Sequence, residues 1–378
     1  MTAVATRYGL MDIIESDSTV SKSLQIYGEW AQEELEVLAR FIAPGACVLD
    51  AGAFIGTHTL AFAQMAGPTG RVYAFEPRRE IFAYLQRNID ANGLAQVHAH
   101  NVALGTQPAE LAMDTLDLLH ADNFGGLALA SPRDAAAVGQ YFVSIVTLDM
   151  LDLPNVDLIK LDVEGMEGEV LAGARDMIAR DRPVIFAECN SLDGGVSLLG
   201  FARANGYRVF GSVSGAYSAA NFNNVAENIF GAAKELGLLL LSAERIETYD
   251  AVLGQMRLPE VESFDDLACL LLSKPQYYDE ALAPFCTKHE VKLELASPEL
   301  AAAEAAKGRC EAALTEAQEI AFARFDQINT LDAALSETQT LAVALQARLV
   351  STEQALQALE QTAAIRILRR AGLLKSQT

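Results

Sequence analysis

The stretch VLDAGAFIGTHTL, Val48–Leu60, decides the fold of this chain. An apolar run ends at Asp50, a loop of small residues follows, and a helical pattern begins near Thr57. Glycine in such a loop permits a tight turn and a close approach of the next helix. Because open α/β sheets bind nucleotides at the carboxyl ends of their strands, the stretch predicts a nucleotide-binding α/β domain.

The spacing of the glycines in this loop separates two kinds of ligand. A dinucleotide fingerprint, GxGxxG, needs glycine at positions 54 and 57, where the chain has Phe54 and Thr57, so a pyrophosphate site is disfavoured. S-adenosylmethionine carries no phosphate, and its cationic methionyl tail needs an acid. Asp50 is the candidate acid, acting through a water on the amino group. The loop residues expected at the cofactor are Asp50, Gly52, Ala53 and Gly56.

Two later motifs add contacts for this cofactor. GRVYAFEP places Glu76 at the end of the next strand, 24 residues after Gly52. A carboxylate at that position can accept hydrogen bonds from both ribose hydroxyls. NVALG ends the third strand, and we expect Asn101 and Val102 beside the adenine ring, with an ordinary turn as the alternative for the asparagine.

The block VDLIKLDVEGMEGEVLAGA, Val156–Ala174, is the predicted place for chemistry. An apolar strand delivers Asp162 and Glu164 to the edge of the sheet where the cofactor is expected. The motif VIFAECN adds Glu188 and Asn190 at the end of the following strand. These side chains are therefore expected to lie close together beside the methyl group.

Methyl transfer to an alcohol requires alignment of the reactants and removal of the hydroxyl proton. Asp162, Glu164 or Glu188 is the candidate base. Alternatively, Asp162, Glu188 and Asn190 hold a divalent cation such as Mg²⁺, which would lower the pKa of the hydroxyl. A third interpretation is that these carboxylates cap helices or balance Lys160, which lies unusually within an apolar run.

The residues that would bind the acceptor are harder to identify from spacing. The segment Ala121–Arg133, with Asn123, Gly125 and Gly126, is the first candidate, and Asn221–Asn224 is a second. His58, just inside the helix after the glycine loop, is a further residue that could approach a substrate, although a structural role is the commoner one for a histidine.

Up to about residue 245 the chain alternates β-rich runs with helical stretches, which predicts a mainly parallel sheet with helices on both faces. A helix is also expected at Glu29–Ile42, ahead of the first of these strands. The predicted strands are Cys47–Asp50, Arg71–Glu76, Val97–Val102, Phe142–Thr147, Val156–Asp162, Val184–Glu188 and Tyr207–Gly211.

The rest of the chain divides into three predicted segments. Residues 246–297 contain several prolines and are interpreted as a linker with short helices. Residues 298–372 are rich in Ala, Leu, Glu and Gln and carry a heptad a/d pattern from Cys310 to Ala363, which predicts an oligomeric coiled coil; a solitary or folded-back helix is the alternative. Residues 361–378 form a basic amphipathic tail that could contact an anionic membrane surface or a protein partner.

Composition narrows the class of protein further. The chain of 378 residues has a formal net charge of -22, which disfavours nucleic acid as a partner. Its five cysteines include no CxxC pair, and their number is odd, so a disulfide framework or zinc site is not expected. With no signal-peptide pattern at the N-terminus, we expect a cytoplasmic protein, with the inner face of the membrane as a possible place of contact.

Together the motifs resemble the FkbM family of S-adenosylmethionine-dependent methyltransferases over roughly residues 8–245. The resemblance rests on LQIYGEW (Leu24–Trp30), the glycine loop, GRVYAFEP, NVALG, the paired DLIKLDVEGMEGEVLAGA and FAEC blocks, and GYRVF (Gly206–Phe210). It implies a Rossmann-like class I methyltransferase sheet and O-methylation of a sugar, glycolipid, polysaccharide or polyketide-like acceptor. The C-terminal coiled coil is not part of the family pattern.

The resemblance also implies roles for individual residues. Cofactor contacts fall on Asp50, Gly52, Gly56 and Glu76, active-site roles on Asp162 and Glu164, and a place near the methionyl end or in a lid on Tyr27, Gly28 and Glu29. Two other functions stay open at this point. One is a nicotinamide-dependent oxidoreductase or epimerase on a similar sheet, and the other is a catalytically silent methyltransferase fold at the head of a coiled-coil scaffold.

Overall fold

A computed structural model of the chain describes residues 2–120, 123–126 and 139–274, together with short stretches between residues 345 and 371. The chain divides into two units, residues 1–287 and 288–378, and the site lies in the first. The strands of this unit are β1 Thr2–Thr6, β2 Gly9–Ile13, β3 Cys47–Ala51, β4 Arg71–Phe75, β5 Val97–His100, β6 Ala103–Leu104, β7 Ala109–Asp114, β8 Gln140–Val146, β9 Leu158–Leu161, β10 Val184–Glu188, β11 Tyr207–Gly215 and β12 Lys234–Ser242.

A seven-stranded sheet with the order β11-β12-β10-β9-β3-β4-β5 is the centre of this unit. The five strands from β10 to β5 run parallel, whereas β12 is antiparallel to both β10 and β11. The helices are α1 Val20–Tyr27, α2 Gln32–Leu38, α3 Thr57–Ala66, α4 Arg79–Ala91, α5 Glu167–Ala172, α6 Arg175–Asp181, α7 Leu192–Asn205, α8 Ala243–Met256 and α9 Phe264–Leu271.

Both faces of the sheet are buried, as the predicted alternation of strands and helices required. Successive residues of a strand point to opposite faces, and Val48 of β3 packs in the cluster with α1–α4, whereas Leu49 packs in the cluster with α5–α7 and α9. Strands covered on both sides read as continuous apolar runs. The predicted α/β class with helices on both faces is confirmed.

Three β elements were not predicted: the N-terminal hairpin β1–β2, the strands β6 and β7, and β12. The predicted strand Phe142–Thr147 is present as β8, but it pairs with β6 and β7 in a second, three-stranded sheet and not with the central sheet. Strand β12 includes the apolar run Leu238–Leu241. Because all four of these leucines are buried, the run lacks the alternation that marks a strand with one face in water.

The helix predicted at Glu29–Ile42 is shorter in the structure. Helix α1 ends at Gly28 in the left-handed conformation, and α2 begins after Ala31, whose φ is 50°. Within the predicted range, only residues 32–38 are α-helical. After them the hydrogen bonding changes to a tighter turn, in which the amide of Arg40 donates to the carbonyl of Val37.

Residues 246–274, within the segment predicted as a linker with short helices, do contain helix α9 and most of α8, and they pack on the sheet domain. Val261, Leu267 and Leu271 are buried in the cluster below α7, and Glu260 forms a bridge with Phe210 of β11. Ser263 caps α9 by accepting a hydrogen bond from the amide of Asp266. This part of the chain therefore belongs to the core that carries the site.

Most of the predicted coiled coil, residues 298–372, and of the linker beyond residue 274 lies outside the described residues. The described stretches after residue 344 are helical and include α10, Ala363–Arg370, within the predicted basic tail. Leu345 and Leu349, two positions of the heptad pattern, are exposed in the single chain. In the described part of the chain, no helix is both long enough and apolar enough to cross a membrane.

The packing of α9 gives a test of the domain boundary. We expect Leu267→Ala to lower the free energy of unfolding by about 2–5 kcal/mol, because a fully buried leucine leaves a cavity when it is truncated. Leu119→Ala, at a residue that is 90% exposed, is the matched control and should change it by less than about 0.5 kcal/mol. Denaturant unfolding measures both, and equal stability of the two variants would show that α9 lies outside the cooperative unit.

Candidate active site

A cavity of about 350 Å³ lies at the carboxyl ends of the parallel strands. This is the edge at which open α/β sheets bind their ligands. Its walls come from the loop after β3, from the ends of β4, β9 and β10, and from α2. The six carboxylate residues among the lining residues are Glu34, Glu76, Asp162, Glu164, Glu188 and Glu235.

The glycine loop turns directly beneath this cavity. The amides of Gly52 and Ala53 both donate to the carbonyl of Phe75, at 3.0 Å each, which ties the loop to β4. Gly52 has φ 83°, and a Cβ at this position would collide with the carbonyl oxygen of Asp162. Glycine is therefore required both by the backbone conformation and by the neighbouring strand end.

Glu76 occupies the predicted position at the end of β4 and lines the cavity. Its Oε2 accepts a hydrogen bond from the amide of Phe54 at 3.1 Å, and its Oε1 accepts one from the amide of Arg78 at 2.8 Å. Both oxygens are thus held in place and keep further acceptor capacity. Burial raises the pKa of Glu76 to about 7, although the hydrogen bond from the Arg78 amide opposes the shift.

Of the other residues predicted to contact the cofactor, some line the cavity and others stabilise the residues that line it. Val102 lines the cavity. Asn101 does not, because its side-chain amide donates to the carbonyls of Glu76 and Pro77, at 2.8 and 3.0 Å, and so stabilises the turn that carries the carboxylate. Ala53 is buried under the loop, and Gly56 begins α3 against Leu85, so neither faces the cavity.

Asp50 is placed differently from the expectation. Its side chain is fully buried, and its Oδ2 accepts a hydrogen bond from the hydroxyl of Thr59 at 2.6 Å. Its Oδ1 lies 3.9 Å from the ammonium of Lys160. Asp50 does not line the cavity, so it stabilises the floor of the site instead of facing a ligand.

Lys160 is the buried cation that joins two strand ends. Its ammonium donates to Oδ2 of Asp162 at 2.9 Å, in addition to its approach to Asp50. Burial alone would lower the pKa of Lys160, but the two aspartates outweigh it and raise this pKa above its ordinary value. The paired ion expected from the sequence is therefore present in the structure.

Asp162 and Glu188 share a hydrogen bond at the ends of β9 and β10. Burial pushes the pKa of Asp162 upward, but the Lys160 ammonium and the hydrogen bond from Glu188 leave it below its ordinary value. Burial and the charge of Asp162 raise the pKa of Glu188 well above its ordinary value. Asp162 therefore gives up its proton more readily than Glu188, which is the donor in their shared hydrogen bond.

Glu164 differs from both of these residues. It has φ 54°, a left-handed conformation that non-glycine residues rarely adopt and that is concentrated at functional sites. Within the described residues it has no ion-pair partner, and it lines the cavity. Burial, followed by the charge of Asp162, raises the pKa of Glu164 to about 7.

Of the three predicted metal ligands, Asp162 and Glu188 lie close together, whereas the side-chain oxygen of Asn190 has another partner. Oxygen atoms of Asp162, Glu164 and Glu188 lie within 4.8 Å of one another and could hold a cation. Asn190 lines the same cavity, but its side-chain oxygen accepts a hydrogen bond from Lys274 at 2.7 Å. A divalent cation here would compete with the Lys160 ammonium and with the proton between Asp162 and Glu188.

Sequence reasoning missed several residues of the cavity wall. Glu34 of α2 lines the cavity, and its Oε1 lies 2.9 Å from Nε2 of His58. The fully buried Lys274 holds Glu235 at 3.1 Å as well as Asn190, so the segment after α9 reaches the site. No motif in the sequence indicated a role for Glu34, because in the sequence it is an ordinary acidic residue of an amphipathic helix.

The residues expected at the methionyl end or in a lid lie beside the cavity and not in its wall. The Tyr27 hydroxyl donates to the carbonyl of Glu227 at 2.8 Å, and Glu29 accepts from Arg7 at 2.7 Å. The next residues, Trp30 and Ala31, do line the cavity.

The two segments suggested for acceptor binding have different outcomes. Of the segment Ala121–Arg133, the described residues Asn123–Gly126 line the cavity. The other segment, Asn221–Asn224, does not line it. Its Asn221 instead donates to the carbonyl of Val225 at 2.7 Å and stabilises its own loop.

Residues 50–209 match the family model described as Methyltransferase FkbM domain. The family resemblance that the motifs indicated is therefore confirmed for this part of the chain. The central sheet, with six parallel strands and the antiparallel β12 between β10 and β11, is the class I methyltransferase sheet that the resemblance implied.

Known proteins resemble parts of the chain. Methyltransferase 1 of Beauveria bassiana (strain ARSEF 2860) is 30% identical over 146 residues, and the match covers 34% of this chain and 58% of that protein. The structure of methyltransferase FkbM from Methylobacillus flagellatus KT has a TM-score of 0.35 at 16% identity, covering 52% of this chain and 44% of the other. A SAM-dependent O-methyltransferase from Thermotoga maritima has a TM-score of 0.37 at 13% identity, covering 64% and 85%.

The buried Lys160 provides a test of the floor of the site. We expect Lys160→Met to lower the free energy of unfolding by about 3 kcal/mol at pH 7, because it leaves two carboxylates without their cation. The loss should shrink as the pH falls, since Asp162, whose pKa Lys160 holds below its ordinary value, then takes up a proton. Arg40→Met, at an exposed cation, is the control for loss of charge alone. Denaturant unfolding that shows no difference between the two variants would contradict the role of this ion pair.

Proposed function

We propose that the chain is an S-adenosylmethionine-dependent O-methyltransferase that methylates a hydroxyl of a sugar, glycolipid or polysaccharide. The observation that carries the proposal is the position of Glu164. This carboxylate, whose pKa is about 7, lines the same cavity as the glycine loop and Glu76. A general base works best when its pKa lies near the operating pH.

The residues around the loop fit this cofactor. The two oxygens of Glu76 are fixed by backbone amides and can each accept one ribose hydroxyl. Ile81 and Val102 supply apolar surface for the adenine ring on the β4–β5 side. The loop has the small Gly52 below the expected place of the cofactor, and it lacks the glycine pattern that binds a pyrophosphate. When bound, the cofactor would supply a methyl group on its sulfonium sulfur, and an oxygen nucleophile would attack this methyl carbon in line with the sulfur that leaves.

The environment of each carboxylate selects the base among the three candidates. Asp162 is held ionised by Lys160, which makes it a weak proton acceptor. Glu188 holds its proton more firmly, because burial and the charge of Asp162 raise its pKa well above the ordinary value. Glu164 can take the proton of the acceptor hydroxyl while the oxygen–methyl bond forms and the sulfur–methyl bond breaks, with the electron pair remaining on sulfur.

The acceptor side of the cavity suits a polyhydroxylated molecule. Its wall contains carboxyl and amide groups of Glu164, Glu188, Asn190, Glu235 and Asn123, which accept hydrogen bonds from hydroxyl groups. This supports the saccharide class that the family resemblance implies. The proposal does not require Mg²⁺, because a carboxylate base with a pKa near neutrality is present.

The proposal extends to the C-terminal segments. The heptad pattern in residues 298–372 supports a homo-oligomer, and the basic tail, residues 361–378, supports contact with the cytoplasmic face of a membrane. Such an arrangement would hold the catalytic domain near a lipid-linked acceptor. Its test is to compare the oligomeric state and vesicle binding of the full chain with those of a chain ending at residue 297.

The function is tested first by calorimetry with S-adenosylmethionine and then by transfer. Incubation of native cell-envelope fractions with the labelled cofactor should give a labelled saccharide or glycolipid. Failure of the wild-type chain to bind the cofactor would overturn the proposal. Binding without transfer to any fraction would instead favour the silent scaffold.

Glu164→Gln tests the base. We expect kcat to fall by about 10²- to 10⁴-fold, because the hydroxyl proton loses its acceptor, while cofactor affinity is unchanged. In the wild type, kcat should rise with pH through about 7, since the ionised form of Glu164 is the active one. Glu169→Gln removes an exposed carboxylate from the same segment and should leave the rate unaltered. A Glu164→Gln variant with the wild-type pH profile would rule out this residue as the base.

Glu76 gives a pH-dependent binding prediction. Its ionised form binds the ribose, and its pKa is about 7 in the free protein, so affinity should fall as the pH decreases. We expect the Kd of 5′-methylthioadenosine, which has the ribose but no methionyl tail, to be about tenfold higher at pH 6 than at pH 8. Calorimetry measures it. Glu164→Gln should retain this dependence and Glu76→Gln should lose it; the reverse result would assign the titration to Glu164.

A further inference from the structure

We propose that Glu34 binds the α-ammonium group of the methionyl tail of S-adenosylmethionine, the role that the sequence pattern gave to Asp50. The inference rests on the proposed function and concerns one end of the same cavity. Glu34 lies outside residues 50–209, the part of the chain that matches the family model.

Asp50 is not placed to meet a ligand. Its carboxylate is fully buried, is hydrogen-bonded to Thr59, and faces Lys160. The cationic tail still needs an anion, because a buried charge without a partner is strongly unfavourable. Another carboxylate in the cavity wall must therefore provide it.

The order of the strands indicates where the tail lies. Glu76, the ribose contact, follows β4, which is on one side of β3, and the adenine surface continues toward β5. The tail must extend from the glycine loop to the other side, toward β9. Lys160 of β9 is on that side, and Glu34 is close enough to it to raise its pKa. Helix α2 packs on β11 at the same side of the sheet.

Glu34 is built into the wall at this end. Its side chain is 9% exposed, and its Oε1 lies 2.9 Å from Nε2 of His58 of α3. Helix α2 starts from Ala31, a residue in the left-handed conformation that also lines the cavity. A strained start to a short helix beside the cavity is consistent with a requirement for the position of this carboxylate.

A buried hydroxyl group at this end of the cavity lacks a partner among the described residues. The hydroxyl of Thr57, the first residue of α3, is buried, and no group in the described part of the chain hydrogen-bonds to it. Thr57 lines the cavity together with Glu34 and His58. Because buried polar groups are almost always satisfied, this hydroxyl points to a polar ligand group bound between α2 and α3.

The other carboxylates of the wall have different partners. Asp162 is paired with Lys160 and hydrogen-bonded to Glu188, and Glu235 is paired with Lys274. Glu164 follows β9 and faces the acceptor in the proposed reaction. Glu34 is thus the carboxylate that α2 contributes to the cavity wall beside the start of α3.

Three ligands separate the possible contacts of Glu34 by calorimetry at pH 7. S-adenosylmethionine has the ammonium and the sulfonium, S-adenosylhomocysteine has the ammonium alone, and 5′-methylthioadenosine has neither. We expect Glu34→Gln to weaken the first two equally, by about 10- to 100-fold, because a charge-assisted hydrogen bond to the ammonium is lost. Binding of 5′-methylthioadenosine should be unchanged, which also shows that the variant is folded.

Glu36→Gln is the matched control, since it removes an exposed carboxylate from the same helix and should bind all three ligands as the wild type does. Unchanged affinity of Glu34→Gln for S-adenosylhomocysteine would overturn the inference, and so would an equal loss for all three ligands. A loss for S-adenosylmethionine alone would move the contact from the ammonium to the sulfonium and overturn it as well. If the wild type binds none of the ligands, the proposed function itself fails.

Discussion

The site depends on the ion pairs that the ammonium group of Lys160 makes with two aspartates. This ammonium group lies at the end of β9, between Asp50 of β3 and Asp162, and so fixes the ends of two adjacent parallel strands. Two carboxylates can be buried side by side there because a cation compensates them. One consequence is that the Asp162 carbonyl lies against Gly52, where a side chain would not fit. A second is that Asp50 is held in the floor and away from the ligand.

This ion pair also separates the roles of the remaining acids. Lys160 favours the ionised form of Asp162, whereas burial and the charge of Asp162 favour the protonated form of Glu188. Glu164, two residues after Asp162, has no ion-pair partner among the described residues, and burial together with the charge of Asp162 raises its pKa to about 7. In active sites, neighbouring carboxyl groups often have different pKa values because their environments differ, and this difference decides which group acts as acid and which as base. Here burial raises the pKa of Glu164 and Glu188, and the buried lysine keeps the pKa of Asp162 low.

The sequence predicted the strand-end part of the site because its geometry follows from topology. The carboxyl ends of parallel strands meet at one edge, so Glu76, Asp162 and Glu188 could be expected together before any contact was known. The approach of Glu34 to His58 could not, since it depends on how α2 is set against α3. Helix α2 starts after the left-handed residue Ala31, and alanine carries no sequence signal for this conformation. Lys274 was missed for a similar reason, because the packing of α9 is set by tertiary contacts.

The same distinction explains why Asp50 lies in the floor of the site and not in the cavity wall. Its position at the end of the first strand was predicted correctly, but whether a strand-end carboxylate faces the ligand or the floor depends on which cation lies nearby. In the sequence, Lys160 is an unusual charged residue within an apolar run, and any of the neighbouring acids could have been its partner. Once the structure shows that β9 pairs directly with β3, Asp50 is committed to that lysine. The cationic tail of the cofactor must then be balanced from the helical side of the cavity, where the sheet pattern gives no information.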